Sequence, residues 1–175
     1  MDNNEKRYGK GGYRSNRDDG RPKDTAGRIV PRDKELEQAV LGAMMLEKDA
    51  YTTVCDLLKP ESFYEPEHQM VYEAIQTLAA AQKPIDMLTV IEQLRANDTL
   101  DKVGGPAYIA ELTACITSAA HVEYHARIVA QKYLARELIN FAANIEGKAY
   151  DETNDVDDLL QEAEGRLFEI SQRNV

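Results

Sequence analysis

The chain has 175 residues, 30% of them charged and 7% aromatic, with no Trp and a formal net charge of −10. That length suits one domain with a tail, and charge in such excess over aromatics suits helices better than sheets. No apolar run approaches the roughly 18 residues that a membrane span needs, and the polar N-terminus is not that of a secretory signal peptide. Cys55 and Cys115 form no CxxC pair, so buried free thiols in a reducing cytosol, and hence a cytoplasmic protein, are expected.

Charge is unevenly spread. Residues 1–34 hold ten Lys/Arg against six Asp/Glu, a balance of +4, and the remainder holds eleven against 25, a balance of −14. So acidic a body is a poor direct ligand for phosphates and a better one for a protein with basic patches.

Residues 1–30 carry half of the ten glycines and almost no aliphatic side chains. Such a segment cannot bury enough apolar surface to offset its ordering entropy, so a disordered basic Gly/Arg-rich tail is expected. Tyr8 and Tyr13 within it offer stacking surfaces for single strands. From Asp33, a candidate cap, Leu36, Val40, Ala43 and Met44 recur at helical spacing, with Glu47 beyond. A short second helix after Asp49 turns Val54, Leu57 and Leu58 inward, and Lys59-Pro60 stops it. Phe63 and Tyr64 are expected to plug the core ahead of a third helix. That helix starts at Pro66, where a missing N–H does no harm, and buries Val71, Ile75 and Leu78. Asp86 caps a fourth helix with Leu88, Ile91 and Leu94 inside, ended by Asn97-Asp98.

Gly104-Gly105-Pro106 reads as a tight turn into a fifth helix with Ile109, Leu112 and Ile116 inside. Residues 119–148 then form one long helix, apolar on two faces. Val122, Ala126, Val129 and Tyr133 make one, and Leu134, Leu138, Phe141 and Ile145 the other. A helix apolar on two faces needs two partners. The last helix starts near Asn154-Asp155. Val156, Leu160, Ala163, Leu167 and Ile170 follow at alternating spacings of four and three, a heptad seam too short to stand alone and so suited to docking.

The chemistry-bearing residue types form no reaction centre. His121 and His125 share a helix face but lack a third ligand, so no metal is expected. The Asp151–Asp158 cluster lacks the glycine and terminal glutamate of a calcium loop. His68 is expected to make a structural hydrogen bond. No Gly-x-x-x-x-Gly-Lys-Ser/Thr phosphate loop occurs, so no catalytic residue and no nucleotide cofactor is expected in these 175 residues.

Three strings in order carry a resemblance: Phe63-Tyr-Glu-Pro-Glu-His-Gln-Met-Val-Tyr-Glu-Ala-Ile75, Pro84-Ile-Asp-Met-Leu-Thr89 and Val103-Gly-Gly-Pro-Ala-Tyr108. With Pro31–Ala43 before them and Ser118–Val129 after, they resemble the N-terminal domain of the DnaB-type bacterial replicative helicase. The resemblance implies an all-α fold of about seven helices, a compact bundle followed by a long projecting helical hairpin. It assigns residues 31–150 to a collar domain that includes the long hairpin helix, and 151–175 to the second hairpin or linker helix. It implies a role in oligomerisation and in recruiting a DnaG-type primase, with no partner membrane.

The same resemblance implies pairing of hairpins between copies, a hexamer in the longer protein, and ATP-driven 5′→3′ unwinding by a motor that holds ATP, Mg and single-stranded DNA. The end at Val175 is expected to fall short of that motor. Self-association is expected through Leu134, Leu138, Phe141 and Ile145, and primase contact through Glu35, Tyr108, Ile139 and Ile145. Docking is expected along the Val156–Ile170 seam. The family commonly has Asn, a natural cap, where this chain has His121. A free-standing nucleic-acid-binding protein that uses its basic tail is the alternative.

Overall fold

A computed structural model describes residues 26–116 and 119–174. The basic tail lies almost wholly outside the described residues. Of the leading unit, Met1–Val30, residues 26–30 are described and are mostly exposed. The described residues of the second unit, Pro31–Val175, form seven α-helices.

Helix α1 (Lys34–Leu46) starts where expected, because the Asp33 carboxylate accepts from Leu36 N at 3.0 Å. Its surroundings differ from the expected single stripe. Val40 to Met45 are buried in an unbroken run, since α1 runs through the middle of the bundle against five of the helices that follow. A helix apolar all round belongs inside. At Gly42 the approach is backbone to backbone: a Cβ there would lie 2.1 Å from the Leu112 carbonyl oxygen.

Helix α2 (Ala50–Val54) is shorter than expected, and Leu57 is only half-buried beyond it. Pro60 opens a 3-10 turn, Pro60–Ser62, in which Lys59 N donates to Ser62 Oγ at 3.0 Å. Phe63 is fully buried and packs on Tyr72 with ring centres 5.1 Å apart, while Tyr64 stays half-buried. Helix α3 (Pro66–Ala80) starts at Pro66 and buries His68, Val71, Tyr72, Ala74, Ile75 and Leu78.

Helix α4 (Met87–Ala96) has the reciprocal Asp86–Thr89 cap. Leu88, expected inside, is 68% exposed. The second residue of this helix points away from the bundle, and Val90 joins Ile91 and Leu94 on the inner face instead. Helices α3 and α4 end alike. Gln82 and Asp98 adopt φ of +55°, so that Lys83 N reaches Leu78 O at 2.9 Å and Thr99 N reaches Leu94 O at 3.0 Å.

Helix α5 (Gly105–Ala114) follows Gly104 at φ +108° and opens on Gly105 at φ +75°, a backbone that a side chain would strain. Ile109 and Leu112 are buried and Ile116 packs partly on the core. Helix α6 (Val122–Tyr150) begins three residues later and ends two residues later than expected, since Gly147 does not stop it. Helix α7 (Val156–Gln172) begins at Asp155, whose carboxylate accepts from Asp157 N at 2.9 Å and Asp158 N at 3.0 Å. His121 precedes α6 but makes no side-chain cap bond. Neither cysteine is buried as expected: both are free, Cys55 half-buried in a turn and Cys115 exposed at the end of α5.

Candidate functional site

The two-faced character of α6 sets its course. With 29 residues it is about 43 Å long at 1.5 Å per residue. Val122, Ala126 and Val129 bury its first half in the bundle, and no residue beyond Val129 is buried, so the second half projects. Where it leaves, aromatic rings and cations alternate. Arg32 lies 5.1 Å from the Tyr64 ring centre and Arg136 5.4 Å from the same ring. Arg136 is also 5.6 Å from the Tyr133 ring, and Lys59 4.8 Å from Tyr133. A cation over a ring face is attracted by the ring quadrupole.

Arg136 also donates to Pro31 O at 2.8 Å and Ser62 O at 2.9 Å, and Arg32 pairs with Glu65. Burial pulls the Arg136 guanidinium below its ordinary pKa, and the nearby charge of Glu37 opposes this. Sequence reasoning took Tyr64 as a core plug and Tyr133 as part of an apolar face, and passed over Arg32 and Arg136, the cations beside them. Their legible signal is weak: Tyr64 and Tyr133 each fall within three residues of an arginine or acidic residue, which many exposed tyrosines do.

Helix α7 turns back along α6. Lys148 pairs with Glu162 near the tip, and Arg173 lies 3.5 Å from Glu137 near the base, so the two helices run antiparallel. At the tip Thr153 N and Oγ1 donate to Asp151 at 3.0 and 2.7 Å, which holds that carboxyl below the usual range. Helix α7 covers part of the second face of α6, leaving Leu134, Phe141 and Ile145 half-buried and Leu138 exposed. On α7, Val156, Leu160 and Leu167 remain 77%, 58% and 49% exposed.

At about 100° per residue, the exposed stripes of the two antiparallel helices open to the same side. Together they make one apolar face that nothing among the described residues covers. Two members of the expected docking seam are used within the chain. Ile170 is buried at the hairpin base and Ala163 is half-buried. Both lie on the α6 side of α7, off the exposed stripe.

A second constellation ties the bundle together. Glu37, 2% exposed, accepts from Tyr64 N at 2.7 Å and pairs with His68 Nδ1 at 2.6 Å. His68 Nε2 lies 2.7 Å from Tyr108 Oη, which also accepts from Gln38 Nε2 at 3.3 Å. A carboxylate at Glu37 is met by Nδ1 as the donor. With Nδ1 donating, Nε2 accepts the Tyr108 hydroxyl, and both ring nitrogens of His68 and the Tyr108 hydroxyl are matched. Burial raises the Tyr108 pKa, and the Gln38 hydrogen bond opposes the rise. The structural hydrogen bond expected of His68 is present, but a buried glutamate as its partner was not foreseen.

The expected primase-contact residues fall into two groups. Glu35 is exposed on α1, one turn before Gln38, which bonds Tyr108. Ile139, 47% exposed, and the half-buried Ile145 lie on the projecting part of α6, about 120° apart around it. Among the described residues, no group of three or more His, Cys, Asp and Glu could hold a metal ion. No helix among them is long and apolar enough to cross a membrane.

The sequence profile of the DnaB-like helicase N-terminal domain matches residues 29–131. The chain belongs to this family. It is 44% identical over 146 residues to the replicative DNA helicase DnaB of Rhodothermus marinus, covering 83% of this chain and 15% of that protein. Against DnaB of Geobacillus stearothermophilus the identity is 40%, covering 83% of this chain and 32% of the relative. The chain thus spans about a third or less of these relatives' lengths and matches only the N-terminal domain of replicative helicases.

The fold agrees. The crystal structure of the N-terminal domain of DnaB helicase from Mycobacterium tuberculosis superposes with a TM-score of 0.75 at 36% identity, covering 79% of this chain and 98% of that one. A DnaB-like replicative helicase whose interactions with primase have been described superposes at 0.66 and 27% identity, covering 79% of this chain and 31% of that one. The all-helical architecture expected from the sequence is the architecture of this family.

Proposed function

We propose that this chain is an interaction module of a replicative DNA helicase, which pairs with its own copies through the α6–α7 hairpin and recruits a DnaG-type primase. The uncovered apolar face of the hairpin carries this reading. Leu138, Val156, Leu160 and Leu167, 41%, 77%, 58% and 49% exposed, line up on one side of the hairpin, and apolar side chains gathered in one place mark an interaction surface. For primase, support comes from the solved relative that interacts with primase and from the acidic body. The candidate contacts are Glu35, Tyr108, Ile139 and Ile145.

The longer protein would be a cytoplasmic hexamer that hydrolyses ATP with Mg and unwinds DNA 5′→3′ on a single strand. The domain itself supplies no phosphate loop. Light scattering on the purified chain tests the pairing: a mass near 40 kDa is expected, against 19.7 kDa for one chain, and Leu138→Asp should halve it. A wild-type mass that stays at one chain at high concentration defeats the self-association. Titration with the C-terminal helicase-binding region of a primase tests the other half. No binding by the unmutated chain removes that partner, and Tyr108→Ala with unchanged affinity removes Tyr108 from the contact.

A further inference from the structure

We infer that α7 is held in place by a second copy of the chain as much as by its own, so that closing the hairpin and pairing two copies are one coupled step. This rests on the hairpin pairing proposed above and adds a condition to it. By backbone packing, α7 touches α6 and no other helix. Of its 17 residues one, Ile170, is buried, while Leu159, Glu162 and Ala163 are half-buried. Four of its six larger apolar side chains are turned outward: Val156, Leu160, Leu167 and Phe168, the last 64% exposed. A helix of this length is marginal without tertiary packing.

The polar ties do not make up the difference. The Lys148–Glu162 pair and the Arg173–Glu137 pair each have at least one half-exposed side chain, and ion pairs of that kind contribute little. At the base Glu137 is only partly matched. Its Oε1 accepts from Tyr133 Oη at 3.1 Å, while its buried Oε2 has no partner. Segments with few buried apolar contacts open at low free energy.

The face that α7 shares with α6 fits a second copy in particular. Leu134, Leu138, Phe141, Ile145, Val156, Leu160 and Leu167 carry no charge, whereas residues 35–175 carry −14 and repel a like body elsewhere. Two such hairpins laid face to face about a two-fold axis cover each other's stripes as a four-helix arrangement. The copy that covers the stripe also clamps α7 onto α6, and a dissociated copy loses that clamp.

Hydrogen–deuterium exchange on the whole 175-residue chain, across a dilution series followed by light scattering, tests the coupling. Amides of residues 156–172 should exchange at least tenfold faster in the monomer than in the dimer, while those of α1, α3 and α5 keep their rates. Leu160→Asp, an exposed position with little to disturb in its own chain, should give the fast rate at every concentration. Equally slow α7 exchange in monomer and dimer overturns the coupling and leaves the pairing intact. A wild-type chain that never pairs overturns both.

Discussion

His68 Nδ1 and Glu37 Oε2 meet at 2.6 Å between helices α3 and α1, with 0% and 2% of the two side chains exposed. The pair sits within a set of donors and acceptors that match one for one, so the cost of a substitution depends on how many groups it orphans. Glu37→Ala strands His68 Nδ1 and the Tyr64 N–H together and should cost about 3–5 kcal/mol. Tyr108→Phe strands one fully buried nitrogen, His68 Nε2, and the part-buried Gln38 Nε2, and should cost about 1–2 kcal/mol. Urea unfolding at neutral pH gives the order, and a Tyr108→Phe variant as unstable as Glu37→Ala would contradict the matching described above.

Two glycines should respond to alanine in opposite directions. At Gly42 the new Cβ would meet Leu112 O at 2.1 Å and Ile116 Cδ1 at 2.3 Å, so α1 and α5 must move apart, at roughly 1–3 kcal/mol or more. At Gly165 nothing lies within 4 Å, and the helix propensity gain of about 0.5–1 kcal/mol should appear as added stability. Thermal unfolding of both variants beside the wild type checks the pair of signs.

Stability should fall in alkali for a reason that can be located. Burial raises the Tyr72 hydroxyl, which donates to Leu58 O at 3.0 Å, and burial with the adjacent Glu137 pushes Tyr133 up to about 12 from 10.0. Above pH 10 the unfolded chain releases protons that the folded chain keeps. The contribution is therefore complete below pH 10 and is lost as pH rises from 10 towards 12. Urea midpoints at pH 8, 10 and 11 should fall in that order, and Tyr133→Phe should flatten the decline. A flat wild-type profile would contradict it.

How much was legible follows from how local each feature is. Helix starts at Asp33, Pro66, Asp86 and Asp155 were readable because a cap is decided by residues three apart. The inward face of α4 was misplaced by one residue at Leu88, since a short helix leaves the phase of its stripe to tertiary packing. The two apolar faces of α6 were readable from its period. That α7 would turn back along α6 came from the family resemblance and not from the period, and that Ile170, expected in the docking seam, would be drawn into the chain was not readable. The Glu37–His68 pair joins residues 31 positions apart. Nothing in the spacing of either residue announces the other.

Arg136 offers a test of what fixes the root of α6. Arg136→Lys keeps a charge but loses the flat fork that reaches Pro31 O and Ser62 O and lies near two rings. A loss of about 2 kcal/mol is expected, as hydrogen bonds from charged groups are worth about 1.5–3 kcal/mol. An unchanged unfolding midpoint would show that the alternation of rings and cations is decorative.

The position of Arg136 along α6 makes the hairpin a lever with its fulcrum at that side chain. From Arg136 to the end of the helix at Tyr150 is about 21 Å at 1.5 Å per residue. Each degree of tilt at the fulcrum therefore carries the tip through roughly 0.4 Å. A shift at the root too small to break any hydrogen bond would still move the tip by more than the tolerance of a packed interface. Aim, more than the adhesion of its apolar face, is what the ring-and-cation root gives this hairpin.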